Sequence, residues 1–68
     1  MNSIGSNIKL LRRTKGVTQE ELSAALHISC QAISKWENEV CQPDISLIPA
    51  IANYFGVTID ELFGFHLQ

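Results

Sequence analysis

The sequence predicts an all-α fold of five short helices around one core, and three observations carry that expectation. Apolar residues recur at helical spacing, as in Ile4, Ile8 and Leu11 or Ile48, Ile51, Ala52 and Phe55, which is the pattern of one buried helix face. Helix-start signatures repeat: Gly16-Val17-Thr18-Gln19-Glu20-Glu21-Leu22 is echoed by Gly56-Val57-Thr58-Ile59-Asp60-Glu61-Leu62. No stretch shows the apolar/polar alternation of a half-buried strand.

Each element has its own local cause. The first helix is predicted from about Ile4 to Lys15, with Ser3 as its cap. Gly16 suits the left-handed end of that helix. Thr18 then caps the second helix, Glu21 completes a capping box, and Val17 with Leu22 forms a hydrophobic staple. The second helix is expected to end near Leu26. Ile28-Ser29 with Ile33 repeats the staple and cap, so a third helix follows Ser29 and ends near Asn38. Residues 39–43 read as a polar loop. Pro49 fits only the first turn of a fourth helix, so that helix either starts near Ser46 or follows a tighter turn from Asp44. The fifth follows Thr58 and is expected to end at Gly64. Shared capping chemistry accounts for the echo without an internal duplication.

At 68 residues the chain reads as a single domain over 1–68 with its core at about 4–64. A domain this small buries only ~60% of the surface of its unfolded chain. The 46% hydrophobic content must therefore pack tightly. No apolar run approaches the ~20 residues that span a membrane, and no leader-type apolar segment develops. Two cysteines, Cys30 and Cys41, are too few for a disulfide framework and read as reduced thiols in a cytoplasm. With His27 and His66 they show no familiar metal-ligand spacing. No nucleophile–base grouping or glycine-rich phosphate loop is present. No enzyme, cofactor or metal is expected.

Charge is unevenly distributed. The formal net charge is −2, which by itself speaks against a nucleic-acid partner. Yet Lys9, Arg12, Arg13, Lys15 and Lys35 all lie in the first 36 positions against Glu20 and Glu21, a balance of +3. The remaining positions hold Glu37, Glu39, Asp44, Asp60 and Glu61 without a lysine or arginine, a balance of −5. Such polarity could orient the domain on DNA while weakening non-specific binding, or be a mixed soluble surface.

The stretch Thr18 to Glu39 is the most informative. Its two helices are joined by only Leu26-His27-Ile28, which forces a steep crossing and leaves the second of the pair projecting. Leu22, Ala25, Leu26, Ile28, Ile33 and Trp36 can point inward. Cys30, Gln31, Ser34, Lys35 and Asn38 are then left outside. A projecting helix edged with small and amide side chains suits the major groove of DNA in shape and chemistry.

Positions 4 to 64 resemble the phage repressor/Cro-type, or XRE-type, helix-turn-helix domain. The matching pieces are Ile8-Lys9-Leu10-Leu11-Arg12, Thr18-Gln19-Glu20-Glu21-Leu22, Ile33-Ser34-Lys35-Trp36-Glu37-Asn38, Pro43, and Ile51-Ala52 through Gly56-Val57. The resemblance implies a lambda-repressor-like fold whose second and third helices form the DNA-binding unit. It places Cys30, Gln31, Ser34 and Lys35 where the family's base-reading side chains stand. It puts Gln19 at the family's phosphate-contacting glutamine and Asn38 where the loop grips the backbone. Arg12 and Glu37 match the family's ion pair between first and third helices. Thr18, beside Gln19, is expected at a phosphate, and Arg13 and Lys15 are each either phosphate contacts or simply solvated charges. The sequence departs from the pattern at His27, where the turn commonly has Gly, at Ser23, a usual Ala, and at Glu39, where Gly is frequent. His27 therefore either adopts a positive φ or sits in an altered turn.

Gln31 is the sharpest candidate, because one amide can donate and accept together at adenine N6 and N7; the plain alternative is a solvated side chain. Lys35 could reach guanine or a phosphate. Trp36 reads as packing against the first or fourth helix, since no groove of several aromatics accompanies it as a stacking platform. A redox role for Cys30 lacks a resolving partner. Phe63, Phe65 and Leu67 form an apolar end expected either to pair two copies or to meet a missing C-terminal sensing domain. The expectation is a sequence-specific double-stranded DNA-binding transcriptional regulator, a repressor by the family's habit, acting as a homodimer. The alternative is a protein-binding adaptor or antitoxin-like module.

Overall fold

Side-chain caps start four of the five α-helices. In a computed structural model describing residues 3–64, α1 is Ile4–Lys15, α2 Gln19–Leu26, α3 Cys30–Glu37, α4 Ile48–Phe55 and α5 Ile59–Leu62. Thr18 and Glu21 bond reciprocally, Glu21 N–H to Thr18 Oγ1 at 3.0 Å and Thr18 N–H to Glu21 Oε1 at 2.8 Å. Thr58 and Glu61 repeat the box at 2.9 and 3.0 Å. Ser29 caps α3 through Ala32 N–H. At α1, Ser3 pairs with Ser6 in the same way.

The fourth helix follows the second of the two expected routes. A 3₁₀ turn at Ile45–Leu47, with Asp44 Oδ1 accepting from Ser46 N–H, precedes it. Pro49 then lies in the first turn of α4, where a missing N–H breaks no helical bond. The fifth helix stops earlier than expected, at Leu62. Phe63 caps it, Gly64 N–H closes back on Glu61 O at 3.0 Å, and Gly64 itself is left-handed.

The five largest fully buried side chains are Ile8, Leu22, Ile33, Ile51 and Leu62, one from each α-helix. Ile4, Leu26, Trp36, Ile48 and Ala52 complete the buried cluster, so Trp36 is a core residue. Ala25 is exposed, against expectation. The buried stripe of α2 runs through Leu22 and Leu26 toward half-buried Gln19 and Ser23. Ala25 falls on the other side of Leu22 at ~100° per residue.

Helix α1 lies so close to α3 that a Cβ at Gly5 would stand 1.8 Å from the Trp36 carbonyl oxygen. Asn7 Nδ2 donates to Leu62 O at 3.0 Å, tying α1 to the end of α5. Lys15 is not simply solvated: its Nζ sits 5.2 Å over the Tyr54 ring. Phe63 and Ile45 are exposed beside a groove that they line with Ile4, Pro43 and Ile48. Phe65, His66 and Leu67 lie outside the described residues. Among those residues no helix is long and apolar enough to cross a membrane.

Candidate nucleic-acid interface

Everything about α3 depends on how its two sides divide. Gln31, Ser34, Lys35 and Asn38 follow i, i+3, i+4, i+7 spacing and share one side. Gln31, Lys35 and Asn38 are exposed and Ser34 is half-buried. Ile33, Trp36 and Glu37 are buried on the other. Cys30 stands at the border, half-buried rather than wholly outside. Its Sγ lies 3.9 Å from Gln19 Oε1, within reach of a weak S–H donor. Asn38 Nδ2 donates to Ser34 Oγ at 3.3 Å, which leaves its second amide hydrogen for another acceptor.

The turn that aims α3 depends on His27. It takes φ 57°, so the left-handed option is the one realised. Its N–H reaches Ala24 O, and Ile28 N–H reaches Ser23 O at 3.1 Å, closing the end of α2 as a glycine would. Ser29 begins the next helix two residues on.

A buried charge locks the unit to α1. Arg12 Nε donates to Glu37 Oε2 at 2.7 Å and its Nη2 to Glu37 Oε1 at 3.1 Å, a forked pairing. Arg12 Nη1 also donates to Val17 O at 2.9 Å, fastening the loop before α2. Gln19 Nε2 donates to Glu37 Oε1 at 3.0 Å. The Glu37 side chain is only 2% exposed. Burial works against its charge, but hydrogen bonds from Arg12 and Gln19, helped by the Arg12 and Lys9 charges, hold the carboxyl below its ordinary range. The Glu37 hydrogen bond in turn raises Arg12 above its own. One carboxylate thus joins α1, α2 and α3.

This network constrains Gln19. With one amide hydrogen on Glu37 and its oxygen toward Cys30, Gln19 keeps one N–H for an outside acceptor. That N–H stands at the first turn of α2, where the helix dipole favours an anion. Thr18 is exposed and its hydroxyl oxygen already serves the cap, leaving its O–H to donate. Arg13 is exposed on the last turn of α1. The arrangement offers amide and cationic donors around a rigid ridge. Among the described residues no cluster of three or more His, Cys, Asp or Glu could hold a metal.

Two residues that position this surface escaped the sequence reading. Gly5 had a signal, because a glycine inside a helix is disfavoured unless packing demands it. Asn7 had none, since its partner is a backbone carbonyl 55 residues away.

The chain matches the helix-turn-helix family over residues 8–62 and belongs to it. It is 44% identical over 57 residues to the HTH-type transcriptional activator BcrR of Enterococcus faecalis, covering 84% of this chain and 28% of that protein. It is 36% identical over 61 residues to the antitoxin PezA of Streptococcus pneumoniae, covering 90% of this chain and 39% of that one. It therefore spans well under half the length of either relative. Its fold is similar to the P22 c2 repressor, solved in complex with a synthetic operator: TM-score 0.88, 23% identity, 97% of this chain and all of that one.

Proposed function

We propose that this chain is the sequence-specific double-stranded DNA-binding part of a cytoplasmic transcriptional regulator, entering the major groove with α3. The observation that carries the reading is the division of that helix. Gln31 and Lys35 stand free on one side while Ile33, Trp36 and Glu37 are buried on the other. In this reading Gln31 and Lys35 meet base edges, with Cys30 and Ser34 small enough to allow close approach. Gln19, Thr18, Asn38 and Arg13 hold phosphates and set the register. Arg12 and Glu37 keep the ridge from rocking. The fold shared with a repressor solved in complex with a synthetic operator supports DNA as the partner.

One helix in one groove makes a small interface, so useful affinity calls for two copies on half-sites about 34 Å apart or a multiple of that. The exposed apolar edge at Ile45 and Phe63 supports a homodimer. The greater length of the relatives supports a domain that works inside a longer regulator. Activation and repression are both compatible with this surface.

Selection of bound fragments from a random duplex pool, followed by titration of Gln31→Ala, tests the reading. The variant should lose about 1–3 kcal/mol at the selected site and relax one base position. Equal loss on scrambled duplex would remove Gln31 from base reading. Similarity to an antitoxin and the acidic second half favour one other reading, a protein-binding module. A DNA reader loses affinity for random duplex steeply as salt rises, and an adaptor does not.

A further inference from the structure

Glu39 is the residue that local chemistry would least choose for its position. It follows Asn38 at the end of α3 with φ 61°, a left-handed conformation that glycine adopts freely and a side chain does not. The turn needs that conformation. Glu39 N–H closes on Trp36 O at 3.1 Å and Val40 N–H on Lys35 O at 2.9 Å, the double closure of a helix end. A carboxylate at that end also opposes the negative pole of the helix. The Glu39 side chain is exposed. It takes no part in the Arg12–Glu37 pair, the only ion pair among the described residues, nor in any hydrogen bond described there. The backbone of Glu39 closes the helix end, but its side chain costs the fold twice and makes no bond that offsets this.

What it adjoins is the end of the ridge. Asn38, its neighbour, lies on the same side of α3 as Gln31, Ser34 and Lys35, and the turn it shapes folds onto the Lys35 carbonyl. Resting on the DNA-binding reading above, we propose that Glu39 is a repulsive element of this surface. Its carboxylate opposes the phosphate backbone, so that binding cannot rest on backbone attraction alone and depends on contacts such as those of Gln31. The repulsion lowers affinity for every duplex alike, so it sets how much attraction the base contacts must supply and leaves the ratio of specific to non-specific affinity unchanged. Because the repulsion acts on the backbone, it is uniform across sequences.

Glu39→Gln keeps the side chain and the strained φ while removing the charge. Titrated against both random duplex and the selected site, it should bind each about five-fold more tightly at low salt. The gain should shrink as salt rises, with the log–log salt slope steeper than that of the native chain by up to about one. Glu39→Lys should gain more than Glu39→Gln on both duplexes. Glu39→Gly separates strain from charge, gaining folding stability as well as affinity. If Glu39→Gln matches or falls below the native chain on both duplexes while Gln31→Ala still loses on the selected site, the repulsive role is wrong and the DNA-binding reading stands. If the native chain fails to bind any duplex at low salt, both fall together.

Discussion

Substituting Gly5 by alanine tests the packing on which the projecting helix depends. The added Cβ would lie 1.8 Å from the Trp36 carbonyl oxygen, whereas real Cβ contacts essentially never fall below 3.0 Å. Helices α1 and α3 must therefore part by about 1.2 Å, and both obstructing groups are backbone. Overpacking of this kind costs about 1–3 kcal/mol, or more where nothing flexible can yield. The Trp36 carbonyl also accepts from Glu39 N–H, so its displacement weakens another bond worth about 1 kcal/mol. Alanine returns about 0.5–1 kcal/mol as a better helix former than glycine. The net expectation is a loss of about 2–3 kcal/mol. For a domain of this size that lowers Tm by roughly 10–20 °C. Thermal and urea unfolding followed by fluorescence of Trp36, the sole tryptophan, would read it. Gly16→Ala is the matched control, with nothing within 4 Å of its added Cβ and only the φ of +78° to pay for, about 1 kcal/mol. A Gly5→Ala variant melting at or above the native temperature would refute the close approach of α1 to α3.

Two further expectations concern the charge network and the turn. The folded Glu37 carboxyl is held below its ordinary range, so its ionised form stabilises the fold. That stability is fully present above about pH 4.3 and is lost as pH falls through the lower folded value. Glu37→Gln should be less stable than the native chain at neutral pH and flatten the acid limb of a urea-midpoint profile; an unchanged limb would assign the acid sensitivity to other carboxyls. His27→Gly relieves a left-handed side chain at φ 57° and should raise stability by about 0.5–1 kcal/mol. A lowered urea midpoint would mean that the imidazole makes a contact of its own.

The helix starts were legible because their causes are local. Thr18, Ser29 and Thr58 each bond to a backbone N–H three residues on, so the signal and its effect share one turn of chain. Apolar spacing likewise marked Ile8, Leu22, Ile33 and Ile51 as core. Ala25 misled because a small apolar residue reads as inward wherever it borders a stripe, while the roll of α2 depends on what packs against it. The exposed candidates on α3 could be named from their spacing. The half-buried lie of Cys30 against Gln19 could not, because the two belong to different helices.

By itself the chain determined its five helices, their caps and the presence of one outward-facing side on α3, since these follow from interactions a few residues long. The Arg12–Glu37 pair was expected from the family resemblance, but tertiary structure alone decided that Gln19 would join it, that Gly5 would lie against Trp36 O, and that Asn7 would reach Leu62. Those contacts depend on the relative placement of helices far apart in sequence. That placement is set by filling the shared core, which no short segment encodes.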